Sequence, residues 1–127
     1  NELSFLPILL YIGAIFWTLG YDTIYGVQDI SDDEVIGVKS TSIKFKNYIR
    51  LFVGSCYSIA SILVTIVIMT IKINFFLIFI FFFIISLFYQ LSLCKLNRPT
   101  DCLKAFKFNN ISGVLLLFNI FLLNLDI

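Results

Sequence analysis

At 127 residues, 60% of them apolar or aromatic and only 13% charged, the chain lies outside the composition of soluble domains, which carry about 25% charge. Its mean hydropathy is +1.00, and with six Gly and two Pro it is neither disordered nor collagen-like. A soluble fold of this size would leave aggregating apolar surface, and a net charge of +1 gives nucleic acid no footing, so the chain belongs in a bilayer.

Stretches without charge locate the spans at 3–21, 51–71, 73–94 and 108–125. Each is close to the roughly 20 residues that a helix needs to cross about 30 Å of hydrocarbon. The runs are unbroken, as in Phe75 to Phe83, rather than alternating as barrel strands do. Only helices satisfy their own backbone in lipid, so the expectation is an all-α membrane protein with four transmembrane helices in one region covering 1–127. Pro7 lies near the start of the first span, and Pro99 opens a short segment before the fourth. Gly54, Ser58 and Ser61 recur at helical spacing in the second span and read as a packing face.

The bases are unevenly distributed. Lys39, Lys44, Lys46 and Arg50 fall between spans one and two, and Lys95, Arg98, Lys104 and Lys107 between three and four. The loop between spans two and three has Lys72 alone. The positive-inside rule puts the 22–50 and 95–107 loops in the cytoplasm and the termini on the other side. Cys56, Cys94 and Cys102 show no C-x-x-C spacing, and the chain has no His. The cysteines therefore read as small apolar fillers, with neither a disulfide framework nor a zinc site expected.

Five of the eight acids lie between Asp22 and Glu34, where the first span leaves the membrane. If one helix continues through this stretch, Asp22, Asp29 and Asp33 fall at about 0°, −20° and +20° around its axis, over roughly 16 Å of rise. Gly26 comes near the same face, and Tyr25, about 60° away, can lean in as a donor. Stacked carboxylates repel unless a cation lies between them. Mg²⁺ takes oxygen ligands and is commonly held by one or two carboxylates plus substrate phosphates, so Asp29 and Asp33 are candidate metal ligands. Asp22 is a candidate for the same site, whereas Asp32 and Glu34 are expected to face water. Next come Ile36-Gly37-Val38-Lys39-Ser40-Thr41-Ser42. Lys39 could reach a diphosphate oxygen as a point charge, and the hydroxyls could orient it or cap the next helix.

Tyr21-Asp22-Thr23-Ile24-Tyr25, followed by Asp29, Asp33 and Ile36-Gly37-Val38-Lys39-Ser40-Thr41, resembles the second aspartate-rich motif of the UbiA-type intramembrane prenyltransferases. More narrowly, it is similar to their 4-hydroxybenzoate polyprenyltransferase branch in ubiquinone synthesis. Cys102-Leu103-Lys104-Ala105-Phe106, Asn109-Asn110 and Gly113 echo the stretch before that branch's last helix. The resemblance implies the C-terminal part of a nine-helix bundle whose central cavity opens towards lipid. There, two acidic motifs bind a polyprenyl diphosphate through Mg²⁺, and the ring of 4-hydroxybenzoate attacks the allylic carbon. Asp29 and Asp33 would be the Mg²⁺–diphosphate ligands, and Lys39 a diphosphate contact with a catalytic role. Asp22 and Tyr25 would line the site, and Asn109 and Asn110 could reach the cavity from the cytoplasmic side.

The family's first acidic motif has no counterpart in these residues, so the chain is read as part of a longer enzyme, lacking its N-terminal half and inactive alone. The expected setting is a bacterial inner membrane, with the mitochondrial inner membrane as the alternative. Two other readings compete: a small membrane protein that binds a divalent cation, and an inactive prenyltransferase remnant.

Overall fold

A computed structural model describes residues 2–27, 30–37, 39–45, 47–71, 77–94 and 99–123. Its elements, all helical, are α1 (Glu2–Gly26), α2 (Ile30–Ile36), α3 (Thr41–Lys44), α4 (Ile49–Ile71), α5 (Ile78–Leu93) and α6 (Pro99–Leu123). The all-α membrane architecture expected from composition is what forms. Phe5–Gly26, Ile49–Ile71 and Asp101–Leu122 are long and apolar enough to cross a membrane. Helix α5 is apolar but shorter, and residues 73–76 of its expected span lie outside the described residues.

The long helices run alternately up and down around a ring. On α1, Gly13 lies under Leu63, Val64 and Ala60 of α4, and Gly20 lies under Tyr57. Helix α4 meets α5 through Tyr57, whose hydroxyl donates to Gln90. Helix α5 meets α6 where Ser86 and Ser112 share a hydroxyl contact of 2.7 Å, and α6 returns to α1 at Trp17 and Asn109. In lipid, burying an apolar face gains little, because the tails are as apolar as Leu; close approach at small residues and polar pairs between helices hold a bundle instead. The closest approach therefore falls at Gly13 and Gly20. A Cβ on Gly13 would stand 3.4 Å from Leu63 Cβ, and one on Gly20 would run into the Tyr57 ring.

That pairing corrects the packing face read at Gly54, Ser58 and Ser61. Gly54 does approach Leu91 and Ser61 is buried, but Ser58 is exposed, and the stripe lines a furrow between α4 and α5. The cysteine reading needs correction too. Cys94 and Cys102 form a disulfide joining the end of α5 to the start of α6, with Cα atoms 4.2 Å apart, and only Cys56 is free. An odd cysteine count argues against a framework of several bridges, but it does not bear on a single bridge where two helices turn back on each other.

Helix α6 also starts well before the charge-free stretch at 108. Pro99 suits a first helical turn, where its missing N–H loses no bond, and Lys104 and Lys107 point to the exposed side of the lead-in. Charge marks where lipid contact begins, not where the helix does.

Candidate active site

Among the described residues, the stretch 22–34 is two helices rather than the one assumed. Helix α1 stops at Gly26, Val27 lies in a tight turn, and a separate helix begins at Ile30. At that point α3 packs against α1 so closely that a Cβ on Gly26 would collide with Ser42 Oγ. Among the described residues, α1 and α2 are separate helices, and the carboxylate face read on one axis crosses residues 28 and 29, which lie outside them. Asp29 lies outside the described residues. Asp33 lies on α2, and its side chain, like that of Asp32, is not among the described groups. Glu34 is exposed on α2.

Thr23 ties the end of α1 to the Lys39 segment. It is fully buried, and its hydroxyl donates to the Leu19 carbonyl at 2.7 Å. With that proton committed, Thr41 donates to Thr23 Oγ1 at 2.7 Å, and Ser42 Oγ donates to the Thr23 carbonyl at 2.8 Å. Ser40 caps α3 by accepting from the Ile43 amide at 3.2 Å. Each of the three hydroxyls after Lys39 is therefore used for anchoring or capping. Lys39 itself is exposed beside this staple, over a hollow of about 460 Å³ that includes Ser40, Thr41 and Lys44. Gly37, at φ +80°, turns the chain from α2 towards it.

Asp22 and Tyr25 both lie exposed on the last turns of α1. The Tyr25 ring packs on Phe106 of α6 at 4.7 Å between centroids, and Tyr21 meets the same ring at 5.9 Å. Below them a groove of about 480 Å³ runs between α1 and α6, with Trp17, Tyr21, Asn109 and Asn110 in its walls and Gly113 among its small residues. Trp17 Nε1 donates to Asn109 Oδ1 at 2.8 Å, and the indole stands edge-on to Phe83 at 5.3 Å. Asn110 is exposed into the groove. The structure thus gathers Tyr21 and Asn110 in one groove, leading to the end of α1 where Asp22 and Tyr25 lie. Lys39 lies over a different hollow.

Two residues that sequence reasoning passed over matter here. Thr23 carries the staple, and the sequence signal for it is the run of hydroxyls at 40–42. Trp17 is the only Trp, and a membrane-buried indole N–H needs a partner, which points to a nearby amide. Among the described residues, no three His, Cys, Asp or Glu side chains gather as a metal site; Asp29 and the Asp33 side chain are not among them.

The model of the UbiA prenyltransferase family matches residues 1–112. A 4-hydroxybenzoate octaprenyltransferase of Coxiella burnetii (strain RSA 493 / Nine Mile phase I) is 34% identical over 121 residues, covering 90% of this chain and 40% of the relative. One from Pseudoalteromonas translucida is 38% identical over 116 residues, covering 90% and 39%. A 4-hydroxybenzoate geranyltransferase 1 of Lithospermum erythrorhizon is 36% identical over 117 residues, covering 89% and 37%. The chain spans about 40% of the length of the curated relatives it matches. No solved structure matches it. Matched along most of its length, with the Tyr-Asp-Thr turn and the Lys-Ser-Thr staple packed together at one end of its bundle, the chain belongs to the UbiA prenyltransferase family.

Proposed function

We propose that this chain supplies one acidic arm and one wall of the reaction chamber of an enzyme that moves a polyprenyl group from its diphosphate to 4-hydroxybenzoate. The donor and acceptor come from the names of the relatives. The observation that carries the reading is the Thr23 staple, which fastens the Lys39 segment to the turn bearing Asp22 and Tyr25, at the mouth of the Trp17–Asn109 groove. A diphosphate at that end would leave its allylic carbon pointing into the groove, between aromatic rings and away from water.

The acids of 22–34 offer carboxylate oxygens without a competing imidazole, a donor set that suits a hard cation, and Asp22 is exposed. Asp29 and Asp33 are the residues assigned to hold Mg²⁺. When bound, Mg²⁺ would supply neutralisation of charge on the diphosphate. Lys39 adds a point charge to the same oxygens. The allylic carbon–oxygen bond breaks, the ring carbon ortho to the phenol hydroxyl forms the new carbon–carbon bond, and the ring proton leaves to restore aromaticity. Tyr21, Trp17 and Phe106 hold the reacting groups in an apolar space, so water does not intercept the electron-poor carbon. We place the acidic end and the 95–107 segment on the cytoplasmic side of a bacterial inner membrane, where the bases on both segments favour that side.

The test is product analysis with the intact protein in vesicles, given Mg²⁺, a polyprenyl diphosphate and 4-hydroxybenzoate. The expected product is the 3-polyprenyl-4-hydroxybenzoate, absent when Mg²⁺ is chelated. Prenylation of other aromatic acids in preference to 4-hydroxybenzoate, or turnover unaffected by chelation, would contradict the reading.

A further inference from the structure

Prenyl transfer leaves unused a second cleft, on the opposite pair of helices. Between α4 and α5 a furrow of about 480 Å³ has Gly54, Ser55 and Ser58 as its floor and Leu51, Ile59 and Phe88 as walls, with Arg50 at one end. A second stretch of about 460 Å³ continues it past Thr65 and Ile66, sharing Ser58 and Phe88. From Arg50 to Thr65 the helix rises about 22 Å, more than the roughly 15 Å of one leaflet's hydrocarbon.

The floor makes little polar demand. Ser55 Oγ donates to the Leu51 carbonyl and Ser58 Oγ to the Gly54 carbonyl, both at 2.8 Å, so the two serines act as small space-makers. The polar chemistry is concentrated at the mouth. The Arg50 guanidinium donates through Nη2 to the Cys94 carbonyl at 2.9 Å, which fixes it across the gap between the helices. That bond uses one arm of a fork with five N–H donors. Helix α4 is 23 residues long, about 35 Å, so an arginine on its first turn lies at headgroup level. Tyr48, 66% exposed two residues before it, belongs to the aromatic belt of the same interface. The positive end of the α4 dipole lies there as well. In sequence, Lys46 and Lys95 adjoin the two ends of this bridge.

We propose that this furrow is a binding site for an anionic glycerophospholipid, its phosphate on Arg50 and one acyl chain along Gly54, Ser58 and Phe88. A zwitterionic lipid fills the same furrow but loses the advantage at the mouth, and a free phosphate ester gains the mouth but not the furrow. The site does not depend on prenyl transfer.

The intact protein, reconstituted in equal parts of phosphatidylglycerol and phosphatidylcholine, is partly delipidated, and its retained lipid is counted by native mass spectrometry. The expected result is about fivefold retention of phosphatidylglycerol over phosphatidylcholine, as one basic residue near an anionic headgroup gives. Arg50→Gln should bring the ratio to parity, Arg50→Lys should keep most of it, and Ser58→Phe, at an exposed position, should release both lipids. Circular dichroism confirms that each variant is helical. Parity in the unsubstituted protein overturns the proposal, as does Arg50→Lys behaving as a complete loss or Ser58→Phe retaining lipid unchanged. Displacement of phosphatidylglycerol by soluble glycerol phosphate would also overturn it, by reducing the site to a phosphate contact alone.

Discussion

Among the described residues, two interhelical clefts have nearly the same size, about 480 Å³ each, and they differ in where their polar groups lie. The α1–α6 groove is walled by an indole, a phenol and two amides, and the bond from Trp17 to Asn109 crosses it with side chains from both walls. The α4–α5 furrow is floored by a glycine and two serines whose hydroxyls turn back onto their own helix, with Arg50 at its mouth. In a membrane, polar side chains that face a cleft and bond across it are costly unless something there uses them. Volume alone would rank the two clefts equally. The placement of hydrogen-bond donors is what separates the proposed reaction chamber from the proposed lipid site.

Substitutions can break that distinction. The largest effect is expected at the acidic arm: Asp33→Asn in the intact protein should lower turnover by about 10²-fold or more, the scale seen when one charge-stabilising group is removed. Ser58→Phe in the furrow should leave turnover within about threefold; equal losses from both in a prenyl-transfer assay would erase the contrast. Next is Asn109→Leu, which strands the Trp17 N–H in a part-buried setting at a cost of about 1–3 kcal/mol. Its kcat/KM should fall about tenfold, and Trp17→Phe, which removes the donor together with the need for it, should lose less. Thr23→Val leaves Thr41 without its acceptor, so the KM for the diphosphate should rise several-fold while that for the aromatic acceptor stays put. Smallest is a pair of glycine changes followed by thermal melting. Gly20→Ala meets the Tyr57 ring and should destabilise by about 1–3 kcal/mol. Gly54→Ala, with Leu91 at an ordinary 3.6 Å, should stay within about 0.5 kcal/mol of the parent.

What was legible in the sequence came from requirements that act locally. Lipid demands long apolar runs, so the spans could be counted, and a cluster of carboxylates at a membrane surface stands out against its basic surroundings. The failures have a common physical origin in contacts between residues distant in sequence. Nothing near Gly26 announces that Ser42 will lie against it, and the α1 axis on which the carboxylate face depends stops there. The Gly54–Ser58–Ser61 stripe has helical spacing, yet the helices meet most closely over Gly13 and Gly20, because their partners on α4 are Ala60 and the flat ring of Tyr57. Cys94 and Cys102 meet only because α5 and α6 turn back on each other. The resemblance led to the family, but Thr23 acquires its role only when α3 is folded against α1.

The central claim is that the stretch from Asp22 to Lys39 binds the donor's diphosphate. Equilibrium binding of a polyprenyl diphosphate to the intact protein, with Mg²⁺ present, tests it without requiring turnover. The Asp29→Asn/Asp33→Asn double variant should bind about 10²-fold more weakly than the parent and lose its response to Mg²⁺. A polyprenyl alcohol, which lacks the diphosphate, should bind both proteins alike. Undiminished, Mg²⁺-responsive binding of the diphosphate by the double variant would contradict the account.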